Sequence, residues 1–195
     1  MRISFHGKAL LVGACIMAGL TAWGQAPSPA NTISTTEVAV TYNGTLANIV
    51  AGSEFWMQGG SVQVQTRFHR QWSVVADVAG MHAAQMNSSG VGLDMVTVTF
   101  GPRYTWRPAS RRFDVFCHAL LGEAWGMNSV FPGPAGSQSA ANSLAVRAGG
   151  GLNLPINRRL AIRAFEADWL RTQMPNAHRN IQNNATLGTG IVARF

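Results

Sequence analysis

Val96-Thr97-Val98-Thr99-Phe100-Gly101-Pro102-Arg103-Tyr104-Thr105-Trp106 changes character at every step. Val96, Val98, Phe100, Pro102, Tyr104 and Trp106 fall on one parity; Thr97, Thr99, Gly101, Arg103 and Thr105 fall on the other. Successive side chains of an extended chain point to opposite faces of a sheet, so this stretch predicts a strand with one apolar face and one small, polar or cationic face.

The same period recurs along the chain. Val62, Val64, Thr66 and Phe68 interleave with Ser61, Gln63, Gln65 and Arg67; Trp72, Val74, Ala76 and Val78 stand opposite Ser73, Val75, Asp77 and Ala79. Leu144, Val146, Ala148, Gly150, Leu152 and Leu154 alternate with Ala145, Arg147, Gly149, Gly151 and Asn153. Leu187, Thr189, Ile191, Ala193 and Phe195 alternate with Thr186, Gly188, Gly190, Val192 and Arg194, and Glu37 to Asn43 fits the pattern too. Two segments resist it, Phe113 to Trp125 and Leu160 to Arg171. Arg163 shares a parity with Phe165 and Trp169, whereas Glu166 and Asp168 share one with Ile162 and Leu170. A bulge would repair the phase, and so would an arginine stem lying along an apolar surface.

Eight strands are expected, at 35–44, 58–69, 71–81, 92–106, 111–125, 142–155, 158–172 and 183–195. Short connections, around His69-Arg70, Pro108-Ala109-Ser110 and Pro155-Ile156-Asn157, alternate with longer ones rich in Gly, Asn, Ser and Pro. An even number of antiparallel strands with tight turns at one rim and long loops at the other is the plan of a transmembrane barrel. The fold class expected is therefore all-β, an eight-stranded antiparallel transmembrane β-barrel with meander topology.

Composition agrees. The chain has 195 residues, 47% hydrophobic and 12% charged, with 21 glycines, which excludes a typical helical bundle. Arg2 and Lys8 precede the apolar run Ala9 to Leu20, and the small residues Ala22 and Gly24 follow it. That is the order of an export signal, so residues 1–24 are read as a signal peptide, 25–34 as a flexible lead-in and 35–195 as the barrel. Val12-Gly13-Ala14-Cys15 bears a weak likeness to a lipoprotein processing box, a use that would strand apolar chain beyond the cut. Beyond residue 24, Cys117 is the sole cysteine, which leaves no internal disulfide.

Alternation alone does not separate a barrel in lipid from a soluble secreted barrel or sandwich. The polar parity carries Gly101, Gly149, Gly151, Gly188 and Gly190 beside Arg103 and Arg147, a mixture that suits a crowded narrow lumen. A lumen network of Gln63, Asp77, Arg103, Arg147, Asn153, Glu166 and Asp168 is expected, because unpaired charges there are costly. Aromatics collect near strand ends: Phe68, Trp72, Tyr104, Trp106 and Phe113 at the short-turn rim, and Trp56, Trp125 and Trp169 toward the other. Such rings suit a boundary between hydrocarbon and headgroups. Arg70, Arg107, Arg111, Arg112, Arg158 and Arg159 cluster at the short turns and read either as a solvated edge or as an anion-binding rim, with acidic headgroups the fitting counter-charge.

The ordered set Gly59-Gly60, Val74-Val75-Ala76-Asp77-Val78, Phe100-Gly101-Pro102-Arg103-Tyr104, Phe113-Asp114-Val115-Phe116 and Leu187-Gly188-Thr189-Gly190-Ile191-Val192 with Phe195 resembles the small outer-membrane β-barrel proteins related to the OmpA-type transmembrane domain, of the kind found in Acidobacteria-like genomes. The resemblance covers roughly residues 35–195. It implies insertion by the barrel-assembly machinery, with Phe195 as its signal, periplasmic short turns and extracellular loops.

A non-enzymatic integral outer-membrane protein with a plugged polar lumen, monomeric and surrounded by outer-membrane lipid, is thus the expectation. No catalytic grouping, cofactor motif, metal-ligand spacing or continuous basic stripe for nucleic acid is visible. His118 and Glu123, near one another in sequence, have opposite parity, which separates them across the wall. The alternatives are a lipid-modifying enzyme of the outer membrane, using His69, His82, His118 or His178 with serines and carboxylates, and a soluble ligand-binding barrel.

Overall fold

The structure is a computed structural model and describes residues 36–48, 54–86, 90–108, 112–133, 136–176 and 180–195. The expected signal (1–24) and lead-in (25–34) lie outside the described residues.

Every element among the described residues is a strand: β1 Thr36–Ala47, β2 Phe55–His69, β3 Trp72–Ala83, β4 Leu93–Trp106, β5 Asp114–Met127, β6 Phe131–Gly133, β7 Gly136–Gln138, β8 Ala141–Pro155, β9 Leu160–Thr172 and β10 Gln182–Arg194. The eight long strands form a closed antiparallel barrel in the order β1-β10-β9-β8-β5-β4-β3-β2. β6 and β7 pair only with each other, a hairpin within the long β5–β8 connection that the sequence reading does not contain. Closure comes from β1 against β10, with Glu37 opposite Arg194 at one end and Leu46 opposite Ala185 at the other. The Phe195 amide adds a bond to the Thr36 carbonyl at 2.9 Å, so neither strand presents a long unpaired edge.

The expected phase holds. In β4, Thr97, Thr99, Arg103 and Thr105 are buried inside the barrel, and Phe100 and Trp106 are exposed outside. Val40, Tyr42, Val62, Val74, Leu121, Leu144, Ile162, Leu187 and Ile191 also face outward. Apolar groups therefore cover the outer wall and polar groups fill much of the inside, the inverse of a soluble barrel.

The irregular stretch of β9 contains a bulge. Asn153 pairs with Arg163 and Leu152 with Phe165, and across the other edge Gly190 pairs with Arg163 and Gly188 with Glu166. The extra residue at Ala164–Phe165 reverses the phase, so Ala161 and Arg163 point inward below it and Glu166, Asp168 and Leu170 point inward above it. Arg163 thus lies in the lumen and not along the outer wall.

One expectation needs correction: the lumen is polar only in part. Toward the long-loop rim it is filled by Ala47, Phe55, Met57, Ala79, Met81, Met86, Leu93, Met95, Leu170 and Met174, with Phe131 of the β6 strand packed on top. Methionine is flexible and unbranched, and fills an irregular tube that taper and strand tilt leave uneven.

Glycines admit the closest approaches. A Cβ on Gly122 would sit 1.9 Å from the Val98 carbonyl oxygen, and one on Gly149 would sit 2.0 Å from an Asp168 carboxylate oxygen. Side chains at these two points would have no room without backbone movement.

Candidate functional site

Seven strands cooperate to place the lumen groups: Gln63 and Gln65 from β2, Asp77 from β3, Thr97 and Arg103 from β4, Phe116 and His118 from β5, Arg147 and Asn153 from β8, Arg163, Glu166 and Asp168 from β9, with Glu37 of β1 at the short-turn end. All seven residues expected in the network are there and buried.

The contacts run in one chain. Asn153 Oδ1 accepts from Arg163 Nε at 3.1 Å, and Arg163 Nη1 donates to Glu166 at 2.8 Å and to Gln63 Oε1 at 2.6 Å. Gln63 Nε2 donates to Glu166 at 2.8 Å, while its oxygen also accepts from Arg103 Nη2 at 2.7 Å. Arg103 Nη1 donates to Gln65 at 2.9 Å, and its guanidinium lies 4.3 Å from the centroid of the Phe116 ring. Arg163 lies 4.8 Å from the same centroid, so one ring supports two cations.

His118 joins the two halves. Its Nδ1 stands 2.9 Å from Arg103 Nη2 and its Nε2 stands 3.0 Å from Asp168. A guanidinium can only donate, so Nδ1 accepts, and Nε2 carries the proton that it gives to Asp168. Arg147 then donates to Asp77 at 2.8 Å and to Thr97 at 3.2 Å, with Asp168 3.8 Å away. Arg103, Arg147 and Arg163 face Asp77, Glu166 and Asp168, three charges of each sign in one connected array.

The network expected from sequence lacks Gln65, Phe116, His118 and Arg163, although the sequence puts Gln65 on the polar face, sets His118 against Glu123 and leaves Arg163 open between a bulge and an outward stem. His118 shares its parity with Asp114 and Phe116, a signal obscured by apolar bulk on both faces of β5. His118, Glu166 and Asp168 also offer ligand atoms within 4.8 Å of one another, a spacing open to a metal ion. Those atoms already carry Arg103, Arg163 and each other's hydrogen bonds, and arginines enclose them, so the donor set fits an ion-pair array better than a cation site. His118 with Asp168 has the form of a base and its orienting group, yet Arg103 occupies the nitrogen where a nucleophile would stand.

The aromatics expected at the rims fall in two outward-facing groups. Phe68, Trp72 and Trp106 are exposed at the short-turn end, where Trp72 packs edge-on against Tyr104 with centroids 5.3 Å apart and Trp106 against Phe113 at 5.9 Å. Trp56 and Trp169 are exposed toward the long-loop end, and Trp125 lies between Val96 and Asn142 of the adjoining strands.

Charge is sorted along the axis. Among the described residues the short-turn rim holds Arg67, Arg70, Arg107, Arg112, Arg158, Arg159 and Arg194 against Glu37 and Asp114. The opposite end holds Glu54, Asp94 and Glu123 against Arg171. At the short-turn rim Arg194 pairs with Asp114 at 2.6 Å and Glu37 at 3.3 Å, and Arg107 with Glu37 at 3.4 Å and Asp114 at 3.7 Å. Burial, with Arg67 close by, lowers the Arg107 guanidinium below its ordinary value.

A closed eight-stranded meander with an apolar outer wall, a salt-linked interior and tight turns at one rim has the fold of the small OmpA-type outer-membrane β-barrels. Among solved structures, the barrel is similar to the attachment invasion locus protein Ail of Yersinia pestis, with 19% identity and a TM-score of 0.58, covering 84% of this chain and all of that one (100%). It is also similar to Neisserial surface protein A, with 10% identity and a TM-score of 0.63, covering 82% of this chain and 97% of that one. No family model and no curated protein matches the sequence.

Proposed function

We propose that the chain is an integral protein of the bacterial outer membrane with a structural or surface-exposed role and no catalysis, its lumen closed by the arginine–carboxylate array. The observation that carries this reading is the inverted wall: Val40, Val62, Phe100, Leu121, Leu187 and Ile191 face out, while Arg103, Arg147 and Arg163 are enclosed. Exposed apolar groups all round a closed sheet suit lipid and not water, and charges enclosed with matched partners leave no continuous aqueous path. The two aromatic groups fit the two membrane boundaries, with short turns in the periplasm and long loops outside. Phe195, exposed at the end of the closing strand, serves in this reading as the recognition residue for the barrel-assembly machinery.

Migration on a gel with and without heating tests it. A folded membrane barrel extracted with detergent runs faster unheated than heated, and its planar-bilayer recordings show no sustained conductance. Protein that is soluble and monodisperse without detergent would defeat the reading.

A further inference from the structure

At the short-turn rim, Glu37, Arg67, Arg107, Arg158, Arg159, Leu160, Ala193, Arg194 and Phe195 line a pocket of about 730 Å³. Its charge is unbalanced. Arg67, Arg107 and Arg194 share Glu37 and Asp114 between them. Arg158 and Arg159 are exposed, and no side-chain ion pair engages either one among the described residues. The Arg159 backbone is nevertheless fixed, since its amide donates to Asn157 Oδ1 at 2.8 Å and its carbonyl accepts from the Arg194 amide at 2.8 Å.

The other wall is apolar and faces outward. Leu160 and Phe195 are exposed on the membrane side of β9 and β10, and Ile162 and Ile191 continue that surface up the barrel. A ligand filling the pocket would meet planar cationic donors at one end and a greasy track at the other. Guanidinium groups bind phosphate oxygens through paired N–H donors.

We infer that this pocket holds the phosphate of an anionic phospholipid from the adjoining leaflet, with its acyl chains lying along Leu160, Ile162 and Ile191. The inference rests on the membrane reading above. A free phosphate would use the arginines but gain nothing from the apolar track, so the lipid is the occupant that both walls serve.

The test uses folded full-length barrel in phosphatidylcholine nanodiscs containing a minor fraction of phosphatidylglycerol, with retained lipids counted by native mass spectrometry. Wild-type protein retains phosphatidylglycerol in preference to phosphatidylcholine. The R158Q/R159Q variant, altered at two exposed turn positions, loses that preference by roughly tenfold or more, and R158K/R159K keeps part of it. Equal retention by wild type and R158Q/R159Q overturns the assignment, as does displacement of the lipid by inorganic phosphate at comparable concentration. Unheated gel migration is read first. Failure there rejects the membrane barrel itself, whereas a normal gel with no lipid preference rejects only the pocket.

Discussion

Arg163 and Glu166 lie three positions apart on the same strand, yet both point into the lumen and pair at 2.8 Å. In a regular strand that spacing would put them on opposite faces, and the bulge at Ala164–Phe165 takes up the odd residue. Deleting Ala164 brings Arg163 and Glu166 two positions apart, the spacing at which an unbulged strand keeps Arg163, Glu166 and Asp168 all in the lumen. The expected outcome is a variant that keeps its fast-migrating unheated band. Loss of that band would mean that the bulge does more than restore the phase.

The buried carboxylate is predicted to matter far more than an outward one. Glu166→Gln leaves Arg163 and Arg103 under-neutralised and should destabilise the barrel by about 3–5 kcal/mol. Glu123 lies on the outer parity and accepts from Asn142 at 2.7 Å, so Glu123→Gln should change stability by less than about 1 kcal/mol. Denaturant unfolding in detergent micelles, followed by tryptophan fluorescence, measures both.

Gly122→Ala should lower stability by about 1–3 kcal/mol or prevent folding, because the added methyl meets the Val98 carbonyl and cannot be relieved by rotating a side chain. Gly80→Ala is the control, since a Cβ there has nothing within 4 Å. Equal unfolding midpoints for the two variants would contradict the strand packing described.

Cys117 is exposed on the outer parity of β5, opposite Tyr104 and Gly150. A nitroxide attached there, in a Cys15→Ser background, should be relaxed by oxygen and shielded from a water-soluble nickel chelate in reconstituted bilayers. Strong relaxation by the chelate would place that wall in water.

Phe195 offers a separation between assembly and stability. Its amide closes the barrel on the Thr36 carbonyl whatever its side chain, and its ring is exposed. Phe195→Ala should therefore refold in detergent with an unchanged midpoint while its yield in cell envelopes drops. Parallel losses in both assays would make the ring a structural element instead of an assembly signal.

Much of the fold was legible because an apolar outer wall and a crowded tube inside impose a period of two on most of the wall. Arg103 and Arg147 alternate cleanly with apolar neighbours, and their placement follows from parity alone. Arg163 was legible only as a conflict of parity with Glu166 and Asp168, which a bulge and an outward-lying stem explain equally well in sequence. Strand ends near the long loops were also cut short, as at Phe55–Met57 and Thr45–Ala47, because apolar residues occupy the inner parity there and erase the contrast. Sequence proximity sets His118 only against Glu123, because its actual partner Asp168 is fifty positions away.

The sorting of charge along the axis has a consequence for how copies share a membrane. Among the described residues the interior is balanced and the two ends carry surpluses of opposite sign, so these charges give the barrel a dipole along its axis. Copies inserted in the same direction present like pole to like pole, and at separations below about 10 Å they repel. If the barrels sit in a membrane as proposed, that polarity favours their dispersal over clustering.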